Sequence, residues 1–114
     1  MTPVQFYKCL ADETRAKCLM LISHEKELCV CELTEALQAS QPKVSRHLAQ
    51  LREYGLLKDR REGQWIFYSI NPALPEWAVD VINLTTQKNM PFIKNNLKLL
   101  KDFAGRPERT QVCC

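Results

Sequence analysis

The sequence predicts a small, mainly helical fold that carries one β-hairpin. Apolar residues recur three or four positions apart through most of the chain, which is the spacing of amphipathic helices. Between residues 57 and 70 the period changes to two, and β-branched and aromatic residues become frequent. A length of 114 residues fits one domain with one core. We therefore expect a single domain over residues 1–104, followed by a flexible tail over residues 105–114.

Two helices are expected near the N-terminus. Residues 6–10 are typical of a first short helix. Asp12 can cap a second one, because its carboxylate can accept a backbone N–H of the first turn. This helix should run to about Ser23 and be well buried, since its apolar face is broad, and residues 24–27 should form a polar connection.

A pair of helices separated by a short break should follow. The apolar residues of the first recur at i, i+3 and i+7, namely Val30, Leu33 and Leu37. Residues 38–40 form the break, and the second helix begins at Ser40 or Gln41 and stops at Gly55. Two short helices joined in this way form a helix-turn-helix, whose second helix enters the major groove of DNA.

The hairpin comes directly after this pair. Residues 57–61 and 64–70 are the expected strands, and Glu62-Gly63 supplies the turn. The order helix, helix, hairpin, helix predicts a winged helix-turn-helix, with the hairpin as the wing. After residue 71 the pattern is helical again, and Pro91 either kinks one long helix or starts a second one.

Positive charge is densest in this middle part of the chain. The net charge is +3, and residues 43–62 alone hold six Lys/Arg against three Asp/Glu. Such a segment favours nucleic acid as a partner, although a charge cluster by itself is usually only a solvated face. Arg and Lys can donate to guanine, and Gln can pair with adenine. The residues expected to contact double-stranded DNA are Gln41, Lys43, Ser45, Arg46, His47 and Gln50 on the second helix, with Arg60, Arg61 and Gln64 at the hairpin tip.

Four segments carry a resemblance to a known family: residues 10–15 (LADETR), 27–33 (ELCVCEL), 40–48 (SQPKVSRHL) and 61–65 (REGQW). Over roughly residues 6–72 the chain resembles the ArsR/SmtB metalloregulatory repressors. The resemblance implies a homodimer that leaves operator DNA when a metal or metalloid binds. It implies a dimer interface made by the first and last helices, and ordinary core positions are the alternative for each candidate. The candidates are Phe6, Trp77, Val81 and Leu84.

The resemblance extends to a pair of cysteines. The arsenic-operon branch of the family has a Cys-X-Cys where this chain has Cys29-Val30-Cys31. That branch often adds a third cysteine where this chain has Thr34, so the third ligand would be a small thiol or another cysteine. Cys113 and Cys114 are possible additional ligands. The implied inducer is arsenite or antimonite, with no resident cofactor, and cadmium or lead is the alternative because soft thiolates select soft ions.

Helix geometry suggests how such binding would act. On a regular helix, residues i and i+2 point about 200° apart. Cys29 and Cys31 are expected at the start of the first helix of the pair, so their sulfurs cannot hold one atom until the helix start unwinds or bends, which would shift the recognition helix. The alternative is that both are small buried residues, as free cysteines often are. Cys9 and Cys18 fall on helices near the expected core and are interpreted as packing residues.

Other functional classes fit less well. No glycine-rich phosphate loop or nucleophile–base pair indicates an enzyme, and Cys-X-Cys without a second ligand pair is a poor zinc module. The two histidines, His24 and His47, lie outside the C-terminal helix, which disfavours zinc or nickel sensing there. A thiol-redox repressor and an architectural DNA-binding protein stay open. Neither a membrane span nor a secretory signal is evident, so a cytoplasmic location without membrane contact is expected.

Overall fold

The computed structural model describes residues 1–107, which form six α-helices and a three-stranded antiparallel sheet. The elements in chain order are α1 (Pro3–Leu10), α2 (Glu13–Glu25), β1 (Leu28–Cys29), α3 (Val30–Leu37), α4 (Gln41–Glu53), β2 (Leu57–Glu62), β3 (Trp65–Ile70), α5 (Glu76–Lys88), a 3-10 turn (Met90–Ile93) and α6 (Lys94–Asp102). The predicted winged helix-turn-helix is confirmed, with α3 and α4 as the helix pair and β2–β3 as the wing.

Capping residues decide where the first two helices begin. α1 begins at Pro3, earlier than expected, because Thr2 caps it and its hydroxyl accepts the N–H of Gln5. α2 begins as predicted after Asp12, whose carboxylate accepts the N–H of Arg15 at 3.0 Å. The expected end at Ser23 is too early, since α2 continues to Glu25 and stops at Lys26, where φ is +78°.

The helix pair has the predicted bounds. Gln38 ends α3 in the left-handed region, with φ of +50°. Ser40 then caps α4, whose first turn contains Pro42. Gly55 follows the end of α4 with φ of +85°, a conformation that glycine adopts without a Cβ clash.

The sheet contains one strand that the sequence pattern does not predict. β1 has only two residues, Leu28 and Cys29, which pair with Tyr68 and Phe67 of β3, so the strand order is β1-β3-β2. The hairpin turn is one residue later than expected, at Gly63-Gln64, because Glu62 still pairs with Trp65. β1 therefore places the start of α3 directly against the base of the wing.

The core is built around α2, whose central residues are fully buried. α5 packs against α2, and α6 packs against α3. Pro91 lies in the 3-10 turn, so it separates two helices instead of kinking one. None of the helices within residues 1–107 is long and apolar enough to cross a membrane.

Candidate DNA-binding surface and thiol site

The exposed start of α4 is the part of the molecule best suited to reach base edges. Gln41, Lys43 and Arg46 are exposed there, and Ser45 is half-buried. Ser40 fixes the direction of this helix start by accepting the N–H of Lys43. An exposed first turn with these donors is the arrangement by which a recognition helix contacts the major groove.

His47 lies on the inner side of α4, away from the predicted contact surface. Its side chain is buried, with Nδ1 3.4 Å from Nη1 of Arg15 and Nε2 4.0 Å from a carboxylate oxygen of Asp12. Burial, helped by the nearby cations, holds the pKa of His47 below its usual value, although Asp12 opposes this. The placement of His47 on the DNA-facing side is therefore corrected: it is a neutral packing residue. Gln50 is exposed, but its amide oxygen accepts a hydrogen bond from Arg15 at 3.2 Å.

Arg15 is a residue that the sequence analysis missed. Its guanidinium donates to the backbone carbonyls of Lys8 and Cys9, at 3.1 and 3.0 Å, and also to Gln50. Arg15 therefore connects the end of α1 to the recognition helix, α4, through hydrogen bonds. The sequence offers one signal for Arg15. A positive side chain in the first turn of a helix interacts unfavourably with the helix dipole, which indicates that other contacts stabilise it there.

The wing presents fewer free cations than the sequence suggested. Arg60 is not at the tip: its guanidinium donates to Glu27 at 2.7 and 2.9 Å and to Glu62 at 2.7 Å, and it lies over the ring of Phe67. The pKa of Arg60 is raised by its hydrogen bonds to these carboxylates. Arg61 is exposed beside the turn, and Gln64 is in the turn itself. Arg61 and Gln64 are thus the wing side chains placed to meet a phosphate.

Arg61 of the wing and Arg46 of the recognition helix should contribute to DNA binding in different ways. We expect Arg61→Ala to lower the slope of log affinity against log salt by about 0.9, because one phosphate contact releases about one counterion. Arg46→Ala should weaken operator binding by about 1–3 kcal/mol and relax the choice of base at one position. Fluorescence anisotropy of a labelled duplex at several salt concentrations measures both.

Arg60→Ala is the matched control for Arg61→Ala. It removes the same charge from the same strand, but it should leave the salt slope unchanged and lower the free energy of unfolding, since buried Glu27 loses its two hydrogen bonds from Arg60. A salt slope that falls equally in both variants would show that Arg60 contacts a phosphate as well, contrary to its placement against Glu27.

The two cysteines at the start of α3 lie in direct contact. Cys29 is the last residue of β1 and caps α3 in an extended conformation, with φ of −92° and ψ of 170°. Its Sγ lies 2.8 Å from the Sγ of Cys31 in the first helical turn. The prediction that the sulfurs point apart is therefore wrong, because Cys29 precedes the regular helix. Two sulfurs bound to one ion by bonds of about 2.3 Å lie about 3.3–3.8 Å apart, so the pair needs only a small opening.

The carboxylate of Glu32 stabilises the start of α3 by accepting hydrogen bonds. Its side chain is fully buried, and Oε1 accepts the backbone N–H of Cys29 at 2.9 Å. Oε2 accepts Nε of Arg106 at 2.6 Å. Thr34, at the position of the missing third cysteine, donates its hydroxyl to the carbonyl of Val30 at 2.8 Å. Within residues 1–107 no group of three or more His, Cys, Asp or Glu side chains is arranged to hold a metal ion.

The thiols differ in their surroundings. Burial raises the pKa of the Cys29 thiol above its usual value, and the hydrogen bond with Cys31 raises it further, although a hydrogen bond with the backbone of Glu32 opposes this; the thiol is therefore protonated at neutral pH. Burial also raises the pKa of Cys18 to about 12, in keeping with a packing residue. Cys9 is buried as well. Cys113 and Cys114 lie outside the residues that the structure describes.

The candidate dimer residues differ in how far they are buried within the chain. Trp77 and Leu84 expose 38% and 57% of their surface on α5, whereas Val81 is half-buried against the core. Phe6 is fully buried within the chain and packs edge to face on Trp77, with ring centroids 5.0 Å apart. The assignment of Phe6 to the dimer interface is therefore corrected to the alternative, a core position, because its side chain is fully buried within the chain. Exposed apolar side chains of this size mark association surfaces.

Comparison with known proteins gives consistent matches. Residues 12–59 match the sequence profile described as bacterial regulatory protein, arsR family. An arsenic resistance transcriptional regulator of Pseudomonas putida is 52% identical over 114 residues, covering 100% of this chain and 99% of the relative. The arsenical resistance operon repressor of Escherichia coli is 53% identical over 83 residues, covering 73% of this chain and 71% of the relative.

Solved structures share the fold. HlyU from Vibrio cholerae superposes with a TM-score of 0.68 at 33% identity, covering 76% of this chain and 90% of that chain. An antimony-specific transcriptional repressor, AntR, superposes with a TM-score of 0.64 at 26% identity, covering 77% of each chain. Both likenesses extend over about three quarters of the chain, so they include the helix pair and the wing together.

Proposed function

The chain belongs to the arsR family of bacterial regulatory proteins, and on that premise we propose that it is a metalloid-responsive transcriptional repressor. It binds operator DNA as a dimer in the bacterial cytoplasm and releases it when trivalent arsenic or antimony binds to Cys29 and Cys31. Its relatives are regulators of transcription, and the chain is not an enzyme. The observation that carries the proposal is the contact of the two sulfurs, 2.8 Å apart, at the start of the helix next to the recognition helix.

The buried, protonated thiol of Cys29 favours a trivalent hydroxide over a divalent ion. Arsenous acid exchanges each hydroxyl for one thiol and releases one water molecule, so arsenic stays trivalent and no net proton is released. Cadmium binds only deprotonated sulfur, so it must displace the thiol protons. Because burial raises the pKa of Cys29, displacement of its proton costs more than it would in an exposed cysteine. The names of the relatives point to arsenic and antimony as well.

The position of the pair suggests how binding reaches DNA. Cys29 is hydrogen-bonded into the sheet through β3, whereas Cys31 moves with α3. Opening the sulfurs to the separation that one atom requires therefore shifts α3 relative to the wing. Since α3 packs against α4, the recognition helix and the wing change their relative position. A coupling of about 1–3 kcal/mol between the two sites is typical of such a linkage.

The dimer is the second part of the proposal. A single recognition helix reads few base pairs, and two-fold symmetry doubles the contacts at half-sites about 34 Å apart. The exposed Trp77 and Leu84 form the contact on α5, with Val81 beside them. Phe6 supports Trp77 from the core side. Two exposed residues of α1, Val4 and Tyr7, extend this apolar surface.

Titration of the reduced protein on a labelled promoter duplex tests the proposal. We expect micromolar arsenite to lower the fluorescence anisotropy to that of free DNA, and cadmium to act only at higher concentration. Release by peroxide that dithiothreitol reverses, with no effect of arsenite, would identify a thiol-redox repressor instead. Equal affinity for promoter and random duplex would identify an architectural DNA-binding protein.

A further inference from the structure

One face of the small sheet connects the thiol pair to the wing. We propose that the ion pair of Glu27 and Arg60 transmits metalloid binding at Cys29 to the wing and so lowers the affinity for operator DNA. Arg60 is then a positioning residue of the regulatory response, because it acts on the DNA-binding side chains of the wing through its own contacts. This inference rests on the proposed function and deepens it, since it names the residues by which the thiol site acts on the DNA-binding surface.

The strand register places Cys29, Phe67 and Arg60 in one row across the sheet. Cys29 pairs with Phe67, and Phe67 pairs with Arg60 on its other side. Residues directly opposite each other on antiparallel strands point to the same face, and successive residues point to opposite faces. Leu28 and Tyr68, which alternate with this row, belong to the main core. The row therefore lies on the other face of the sheet, where Cys29 and Phe67 are nevertheless buried.

Glu27 attaches the strand of the thiol site to Arg60. It directly precedes β1, and its buried carboxylate accepts Nε and Nη2 of Arg60 at 2.7 and 2.9 Å. Such a two-point contact fixes the direction of the guanidinium as well as its distance. Arg60 also lies over the ring of Phe67, with the guanidinium carbon 4.7 Å from the ring centroid. A displacement of β1 at Cys29 is therefore passed to Arg60.

Arg60 extends the connection toward the tip of the wing. Its Nη1 donates to Glu62 at 2.7 Å, and Glu62 pairs with Trp65 across the hairpin turn. Arg61, the next residue along β2, is exposed and is placed to meet a phosphate. Because Arg60 and Arg61 belong to the same strand, movement of Arg60 changes the position of the neighbouring side chain that contacts DNA.

Metalloid binding supplies the displacement. The sulfurs of Cys29 and Cys31 lie 2.8 Å apart and must separate to hold one atom. Cys31 moves with α3, whereas Cys29 is hydrogen-bonded into the sheet, so part of the movement falls on β1. The response then has two branches: α3 acts on the recognition helix, and Glu27 acts on the wing.

Paired binding measurements on the full chain test the role of Arg60. Fluorescence anisotropy gives the dissociation constant of the operator with and without saturating arsenite, and calorimetry gives that of arsenite for the DNA-free protein. In the wild type, arsenite should weaken operator binding by about 5–150-fold. In Arg60→Gln we expect this factor to fall to about one fifth or less of its wild-type value, while the affinity for arsenite stays within about twofold.

Two further variants separate transmission from folding. Glu27→Gln/Arg60→Gln removes both charges of the pair together, and it should reduce the factor as Arg60→Gln does. Lys58→Gln is the matched control, because it removes one positive charge from an exposed position two residues earlier on the same strand. It should keep the wild-type factor.

A probe in the wing measures the transmission directly. Fluorine NMR of protein labelled with 5-fluorotryptophan gives one signal for each of the two tryptophans, and Trp65→Phe assigns the signal of Trp65. We expect saturating arsenite to shift the Trp65 signal in the wild type and in Lys58→Gln, but not in Arg60→Gln. A change in stability alone would leave this shift in place.

The outcomes separate this inference from the proposed function. A factor that stays above about one fifth of the wild-type value in either variant of Arg60 would overturn the inference while arsenite still released DNA from the wild type. A Trp65 signal that still shifts in Arg60→Gln would overturn it too. So would loss of arsenite binding by Arg60→Gln, since Arg60 would then support the thiol site itself. Absence of arsenite binding by the wild type would instead overturn the proposed function.

Discussion

Replacing both Cys29 and Cys31 with serine should abolish the release of operator DNA by arsenite, while the affinity for DNA in its absence stays within about twofold. Serine keeps the size of the side chain and removes the sulfur that binds soft ions. Neither cysteine lies among the exposed residues of α4 or at the wing tip, so the DNA-contacting surface is retained. We expect the arsenite concentration for half-release to rise at least about 100-fold, which corresponds to about 2.7 kcal/mol. Anisotropy of a labelled promoter duplex measures both quantities.

The control removes the same number of thiols elsewhere. Cys9→Ala/Cys18→Ala takes two buried sulfurs from the core and should lower the free energy of unfolding, but arsenite should release DNA from this variant as from the wild type. Unchanged release from Cys29→Ser/Cys31→Ser would mean that arsenite acts through other residues. The 2.8 Å sulfur contact would then be a packing contact only.

The helix pair could be predicted because its signals are local. Ser40 caps α4 through an atom three residues away, and Gln38 and Gly55 end their helices by their own backbone conformations. The apolar stripes then follow from the helical period. Such signals lie within one turn of the residues that they organise, so one sequence is enough to find them.

The thiol geometry could not be predicted, because it depends on a strand of two residues. Two residues are too few to show alternation, and β1 exists because Leu28 and Cys29 pair with β3, which lies far along the chain. That pairing holds Cys29 in an extended conformation, and only then do the sulfurs meet. The spacing of the cysteines gave their position along the chain but not the direction of their side chains.

In the wing and in α4, the surroundings of the basic side chains also depend on residues far away in the sequence. Arg60 and Arg61 are neighbours of identical type, yet Arg60 is bound to Glu27 across 33 positions of sequence and Arg61 is exposed. His47 is similarly held by Arg15, which lies 32 positions earlier. Partners at such distances are set by the packing of α2 and β1 against α4 and the wing. Residue type and helical face alone therefore overstate the number of side chains that contact DNA.

The contributions of Glu32 and Arg106 to the free energy of unfolding should depend strongly on each other. Arg106→Gln removes the guanidinium that is hydrogen-bonded to the buried carboxylate of Glu32, and we expect it to cost about 2–3 kcal/mol of the free energy of unfolding. This is less than a fully buried pair loses, because Arg106 is about one third exposed. Glu32→Gln keeps an amide oxygen for the N–H of Cys29 and should cost about 1–2 kcal/mol.

The double variant decides whether the two residues act together. Glu32→Gln/Arg106→Gln removes both charges, so it should cost less than the two single changes combined, with a coupling energy of about 1–2 kcal/mol in urea unfolding. Costs that simply add would mean that Arg106 does not contact Glu32 in solution. Residues around Arg106 would then not be attached to the start of α3 through this ion pair. A clear coupling would instead show that the carboxylate that caps α3 also holds Arg106, near the end of the described chain, against the start of that helix.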